Sequence, residues 1–235
     1  MSQNTSSQPR GQDLRTNAIV LRRTKYGEAD RILSLLTPHG KQEVIARGVR
    51  KEKSKLAGGI EMFSVSEVTI HHSTKDERLG ILTSAKMLKF YSQILADLNR
   101  LELASTALKQ ANRLADDIKD SKLFSIINQT LAGLHQNYPL DLVESFLLLN
   151  LAELSGEAVN LMLDTTGNKL TPDKQYVWNS LDNALELNDN GPVGEDEIKF
   201  LRLLLATPLS TAAQVQGLEK FLPTVLIVAR AIAQK

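Results

Sequence analysis

The sequence of 235 residues contains no cysteine, which excludes disulfides, a thiolate nucleophile and a zinc site with cysteine ligands. Aromatic residues make up only 5% of it, and long hydrophobic runs are missing. The longest runs, 145–152 and 223–229, are far shorter than the roughly 20 residues that a bilayer-spanning helix requires. The first 14 residues are polar and lack the apolar core of a secretory signal. We therefore expect a soluble, cytoplasmic protein with no membrane segment.

Neither sign of charge predominates in the whole chain, but the charges are distributed unevenly along it. Lys and Arg number 28 against 27 Asp and Glu, a formal net charge of +1. Residues 15–55 contain eleven bases and four acids, a net charge of +7, whereas residues 56–235 contain 16 bases and 22 acids, a net charge of −6. Charge concentrated on one surface attracts a polyanion, so the basic segment predicts nucleic-acid binding. The alternative is that these bases only solvate one domain.

Residues 16–88 show the pattern of short strands, with turn residues such as Pro38 and Gly40 between apolar and β-branched runs. The predicted strands span 18–21, 31–37, 42–49, 65–71 and 79–83. A short helix fits residues 55–63, between the third and fourth strands. This order favours the five-stranded barrel of the OB-fold, and an SH3-like barrel or a small sandwich are the alternatives. Residues 1–14 are predicted to be a disordered tail.

Beyond residue 86 the pattern becomes helical, with apolar residues recurring every three or four positions. A first helical stretch runs through Leu95 to Leu108. The helices predicted after it span 121–136, 139–154, 195–206 and 211–233. The second of these is apolar on nearly all sides and is expected at the centre of a second core, whereas Pro223 is expected to bend or break the last. Residues 155–192 are expected to be looser. The predicted fold class is therefore α+β with two domains, an N-terminal OB-fold barrel at 15–86 and an all-α domain at 87–235.

The sequence contains none of the common catalytic or cofactor-binding motifs that are defined by residue spacing. It has no glycine-rich dinucleotide motif, no phosphate-binding P-loop and no nucleophile elbow. His71 and His72 are adjacent in a predicted strand and point to opposite faces, which prevents them from binding one metal ion together. The acidic cluster at 195–197 precedes a predicted helix, where acids favour the helix dipole. We therefore predict that the protein is not an enzyme and has no catalytic residue, metal or cofactor.

The basic segment instead indicates phosphate binding. Its bases end the first predicted strand, begin the second and follow the third, so the strand ends and loops of a small barrel could collect them on one side. Tyr26 is the only aromatic residue between 15 and 55, which leaves little base stacking. Tyr26 itself is either half-buried in the core or a stacking platform. We expect binding that depends on phosphate contacts and salt and is largely indifferent to sequence.

Several short motifs in this region occur together and in order. They are 18–22 (AIVLR), 26–32 (YGEADRI), 35–37 (LLT), 40–41 (GK), 46–51 (ARGVRK) and 54–64 (SKLAGGIEMFS). In these motifs the chain resembles the bacterial recombination mediator RecO family. Beyond residue 90 the resemblance is limited to the general plan of a helical C-terminal domain.

The resemblance implies a fold, an activity and partners. Proteins of this family pair an N-terminal OB-fold with a helical domain, bind single- and double-stranded DNA, and anneal complementary strands without making or breaking a bond. They bind the acidic C-terminal tail of single-stranded DNA-binding protein (SSB) and act with RecR in loading RecA. The implied localisation is cytoplasmic and nucleoid-associated. The bases implied to contact DNA are Arg22, Arg23, Lys25, Arg31, Arg47, Arg50, Lys51, Lys53 and Lys55.

The chain departs from many family members in the region 155–178. There they carry a four-cysteine zinc motif, and this chain has no cysteine, so we expect no zinc and a segment held by packing, with Tyr176 and Trp178 as anchors. An alternative function is a protein-interaction adaptor whose OB-like domain binds protein or RNA. A helix-turn-helix regulator at 210–230 is disfavoured, because Arg230 is the only base of its second helix.

Overall fold

The computed structural model describes residues 11–73, 79–157 and 160–233. The chain divides into two compact units. The first unit extends to Phe90 and also contains Ala111–Phe124, and the second contains Tyr91–Gln110 and the residues from Ser125 onward. Most of the predicted N-terminal tail, residues 1–10, lies outside the described residues.

The first unit contains five strands, as predicted. They are β1 (Gln12–Tyr26), β2 (Asp30–Thr37), β3 (Gly40–Ala46), β4 (Ser64–His72) and β5 (Gly80–Phe90). They form one sheet in the order β1-β2-β3-β5-β4, which closes into a barrel. The second half of β1 pairs antiparallel with β2, and its first half pairs antiparallel with β4. The seam between β3 and β5 is a short parallel pairing, in which Val44 lies opposite Gly80.

Side chains that point into the barrel form its apolar core. Along β3, Val44 and Ala46 are buried and the intervening Ile45 is more exposed, which is the alternation expected of a strand with one face inside. The buried core residues are Ala18, Val20, Leu33, Leu35, Val44, Ala46, Val49, Ile60, Val68, Ile70 and Leu82. Each buried Val, Leu or Ile side chain stabilises the fold by about 1.5 to 3 kcal/mol relative to an exposed one. The core thus fixes the strand ends from which the basic residues project.

Two boundaries of the barrel differ from the prediction. The assignment of Gln12–Leu14 to a disordered tail is wrong, because these residues pair with Ile70–His72 of β4. They have little apolar character, and their pairing depends on a partner strand that is distant in the sequence. Strand β5 continues to Phe90, beyond the predicted boundary at residue 86.

A short 3-10 helix, Ala57–Gly59, lies between β3 and β4 and packs against β5. Gly59 approaches β5 so closely that an added Cβ atom would lie 2.4 Å from the carbonyl oxygen of Ala85. A side chain at position 59 would therefore collide with the backbone of β5. Gly58 has open space around its Cα atom.

The described residues beyond Phe90 contain six α-helices. They are α1 (Leu98–Leu114), α2 (Ser121–His135), α3 (Leu140–Leu154), α4 (Glu195–Ala206), α5 (Leu209–Ala212) and α6 (Leu222–Ile232). Helix α3 is buried along most of its length and packs against α4 and α6, which confirms its predicted place at the centre of the second core. The segment 211–233, predicted as one helix with a bend or break at Pro223, contains two helices, and the break lies before Pro223. Gly217 adopts a φ of 74° between α5 and α6, and Pro223 lies in the first turn of α6, where its missing N–H costs no helical hydrogen bond.

The second unit is not all-α, contrary to the prediction. A three-stranded sheet in the order β6-β8-β7 occupies much of the segment expected to be loose. Its strands are β6 (Asn160–Asp164), β7 (Tyr176–Asn179) and β8 (Ala184–Leu187). Tyr176 is buried and its hydroxyl oxygen accepts a hydrogen bond of 2.9 Å from the N–H of Thr171, so this tyrosine anchors the segment as expected. Strands of four or five residues carry too little periodicity to be distinguished from loops in the sequence.

Candidate nucleic-acid interface

The β1–β2 hairpin and the loop that follows β3 are joined by three hydrogen bonds at one end of the barrel. The N–H of Arg50 donates to the carbonyl oxygen of Ala29 at 2.9 Å, and its Nη1 donates to that of Gly27 at 3.3 Å. The N–H of Gly48 donates to Oδ1 of Asp30 at 2.6 Å. Gly27 and Gly48 have φ values of 56° and 64°, which side chains rarely allow, so both turns depend on glycine. These contacts bring together two basic stretches that are distant in the sequence.

Like charges face each other across the hairpin. Lys25 lies opposite Arg31 in the antiparallel pair of β1 and β2, and Arg31 lies opposite Ala46, the residue that precedes Arg47. Directly opposed like charges destabilise a strand pair. An anion such as a phosphate, bound between these cations, would relieve the repulsion.

Most of the predicted DNA contacts are free of intramolecular partners. Within the part of the chain that the structure describes, seven of them form no ion pair and no side-chain hydrogen bond: Arg22, Lys25, Arg31, Arg47, Lys51, Lys53 and Lys55. We refer to these seven residues as the basic end of the barrel. Two other cations of the first unit are compensated: Arg15 pairs with Glu67 and Lys41 with Asp116, each at 2.8 Å. The hydrogen bond and the charge of Glu67 raise the pKa of Arg15.

The nearby acids do not neutralise the basic end. Asp30, which is adjacent to Arg31 in the sequence, accepts the N–H of Gly48. Glu43, four residues before Arg47, accepts a hydrogen bond of 2.5 Å from the hydroxyl of Ser34. Because these carboxylates are directed elsewhere, the cations of the basic end face solvent or are half-exposed.

The two remaining predicted contacts, Arg23 and Arg50, have roles inside the protein. Nη1 of Arg23 donates to Oε2 of Glu61 at 3.0 Å and to the carbonyl oxygen of Ile60 at 3.4 Å. Its charge is therefore compensated and its side chain is half-buried. Arg50 is exposed, but its guanidinium holds the carbonyl oxygen of Gly27 and so fixes the hairpin turn. Both arginines position the basic end rather than belonging to it.

Tyr26 ends β1 beside the basic end and is 52% exposed. The sequence left its role open between a half-buried core residue and a stacking platform. Its exposure places the ring outside the barrel core, on the hairpin that also carries Lys25 and Arg31. Tyr26, the only aromatic residue between 15 and 55, is thus accessible to a ligand.

The described residues do not fit a metal site or a membrane span. No three imidazole, carboxylate or thiolate groups among them come together in a way that could hold a metal ion. His71 Nδ1 lies 2.7 Å from Oδ1 of Asp13. In the segment 155–178, Asp164 accepts hydrogen bonds from the hydroxyl and N–H of Thr166 and from the N–H of Asn168, which lower its pKa. A tetrahedral zinc site needs four converging ligands, which this segment does not provide. None of the helices in the described ranges has the length and apolar character needed to cross a bilayer.

Comparisons with known proteins agree on one family. The family profile described as Recombination protein O N terminal matches residues 12–91. A protein of Roseiflexus sp. named DNA repair protein RecO is 32% identical over 219 residues, which cover 86% of this chain and 73% of that protein. Proteins of the same name from Dehalococcoides mccartyi and Rubrobacter xylanophilus are 33% and 28% identical over 146 and 222 residues. These alignments cover 61% and 90% of this chain, and 56% and 88% of the respective relatives.

Proposed function

The chain belongs to the RecO family of DNA repair proteins, and we propose that it acts in DNA repair and recombination by binding DNA at the basic end of its barrel. The observation that supports this proposal is that seven cations without ion pairs lie on the hairpin and on the loop after β3, two segments that hydrogen bonds join to each other. Lys and Arg that neutralise phosphates release counterions, which supplies most of the affinity of sequence-independent binding. We expect these cations to contact phosphates rather than base edges.

We infer that the barrel formed by β1 to β5 is an OB-fold and the DNA-binding domain, and that a largely helical domain follows it. Its strand order and the short helix between β3 and β4 support this assignment. OB-folds are partly open, five-stranded Greek-key barrels that bind oligonucleotides through one face and neighbouring loops. The loop between β1 and β2, at the basic end, is one of the loops used in this way.

Strand annealing follows from the same electrostatics. Two complementary strands repel each other through their phosphates, and a surface that neutralises both lets them approach and pair. No covalent bond is made or broken, so the activity needs no catalytic residue and no cofactor. We therefore propose a non-enzymatic mediator that binds single- and double-stranded DNA and anneals complementary strands.

We further propose that the protein binds the acidic C-terminal tail of SSB and acts with RecR to load RecA onto SSB-coated DNA, in the cytoplasm and at the nucleoid. This part of the proposal is supported by family membership. A protein that both binds SSB and neutralises phosphates would act where SSB-coated single strands accumulate.

An annealing assay with two matched variants tests the proposal. The basic-end variant carries Arg47→Ala, Lys51→Ala and Lys53→Ala, all exposed loop residues. The control variant carries three lysine-to-alanine substitutions at exposed positions of the second unit, which change the net charge equally: Lys109, Lys169 and Lys220.

We expect the basic-end variant to anneal complementary oligonucleotides more slowly than the wild type, both bare and coated with SSB, and the control variant to match the wild type. Annealing is followed by the fluorescence of a dye and quencher on the two strands. Unchanged annealing by the basic-end variant would contradict the proposal and favour the protein-interaction adaptor.

A further inference from the structure

The outer face of the β1–β2 hairpin carries a row of three exposed side chains. Consecutive residues of a strand point to opposite faces, so Arg22, Thr24 and Tyr26 share one face, and all three are exposed. Four residues of strand span about 13 Å, which separates the cation from the aromatic ring along one surface. Along this strand face, the positive charge of Arg22 and the planar ring of Tyr26 are therefore both exposed.

The ring of Tyr26 lies on a fixed support. The turn that follows it is held by two hydrogen bonds from Arg50 to backbone carbonyl oxygens. Across the hairpin, Tyr26 lies opposite Asp30, whose Oδ1 accepts the N–H of Gly48. A carboxylate that accepts a short hydrogen bond from a backbone N–H has part of its charge compensated, which lessens its repulsion of a nearby phosphate. Because these hydrogen bonds already order the hairpin, stacking of a ligand on Tyr26 would carry only a small entropic cost for ordering it.

We propose that Tyr26 stacks on one unpaired base of single-stranded DNA while Arg22 binds a phosphate of the same strand. This inference rests on the proposed function and adds a preference for single strands to it. Bases inside a duplex are covered on both faces by their neighbours, whereas an unpaired base has a free face for an aromatic side chain. The remaining cations of the basic end bind both forms of DNA, so Tyr26 is the residue that distinguishes them.

The test compares Tyr26→Ala, Tyr26→Leu and Tyr26→Phe with the wild type. Binding is measured to a single strand that contains 2-aminopurine and to a duplex of equal length. We expect Tyr26→Ala to weaken single-strand binding about 5- to 150-fold, the range for loss of one base–aromatic stack, and to leave duplex binding unchanged. Tyr26→Phe should retain the affinity and the quenching of 2-aminopurine fluorescence, because the ring is kept. Tyr26→Leu should lose both, because it keeps an apolar side chain without a π face.

The outcomes separate this inference from the proposed function. If Tyr26→Ala binds single strands as the wild type does, or loses single-strand and duplex affinity equally, the stacking role is refuted and DNA binding stands. If the wild type binds neither form at low salt, the proposed function itself fails. Thermal unfolding of each variant checks that the hairpin is intact, which the exposure of Tyr26 leads us to expect.

Discussion

Removing three unpaired cations from the basic end should weaken the salt dependence of DNA binding by an amount that the structure allows us to calculate. Arg47, Lys51 and Lys53 lie on the loop after β3, are exposed, and have no ion-pair partner among the described residues. Their replacement by alanine therefore removes charge without breaking an intramolecular contact. Any change in binding then reports lost phosphate contacts rather than a damaged fold.

The magnitude follows from counterion release. On duplex DNA each phosphate contact contributes about −0.9 to the slope of log affinity against log salt. If all seven cations of the basic end reach phosphates, the slope is about −6.3, and removing three reduces it to about −3.6. Between 50 and 200 mM salt the wild type should lose about 6,000-fold in affinity, and the basic-end variant only about 150-fold.

Fluorescence anisotropy of a labelled duplex across that salt range measures both slopes. The control variant changes the net charge by the same amount at Lys109, Lys169 and Lys220, so it should keep the wild-type slope. An identical slope in the basic-end variant would place the DNA-binding surface elsewhere. An equal reduction in both variants would mean that net charge, and not the cluster on the barrel, governs binding.

Four further substitutions test individual contacts in the two units. Arg23→Ala should lower the free energy of unfolding in urea by about 1 to 2 kcal/mol, because the half-buried arginine loses its hydrogen bonds to Glu61 and to the carbonyl oxygen of Ile60, and should leave the salt slope unchanged. Gly59→Ala should cost about 1 to 3 kcal/mol in the same assay, because the new Cβ would meet the backbone of Ala85, whereas Gly58→Ala enters open space and should cost little. Burial raises the pKa of Tyr91 to about 12, so stability should fall as pH rises from 10 towards 12, where the unfolded chain ionises first. A spectrophotometric titration of Tyr91→Phe should lack the phenolate transition of highest pKa.

The barrel strands were predictable where one face is buried and turn residues flank the strand. Strands β2 and β4 begin and end within one residue of the predictions for this reason. The first half of β1 has no such pattern, since Gln12, Asp13 and Asn17 are polar and exposed. Its strand conformation comes from pairing with β4, a long-range interaction that no local window of sequence contains.

The second unit was predictable in its longer helices and not in its short elements. Helix α4 has the predicted bounds, because acidic residues mark its start and an apolar stripe continues to its end. The sheet of β6, β7 and β8 was missed because it depends on single anchors such as the buried Tyr176. Its strands have only four or five residues, which is too few for alternation of apolar and polar residues to distinguish them from a loop.

The candidate site shows why a charge count alone does not define a binding surface. From the sequence alone, nine candidate contacts carried equal weight, because a formal charge contains no information about its partners. In the structure Arg23 is compensated by Glu61, and Arg50 holds a backbone carbonyl oxygen of the hairpin turn. Asp30, which could have neutralised Arg31, accepts a backbone N–H of the neighbouring loop instead. Hydrogen bonds therefore engage two of the nine cations within the protein, and the other seven have no carboxylate partner among the described residues. The unpaired cations, and not the net charge of +7, are what a DNA backbone would meet.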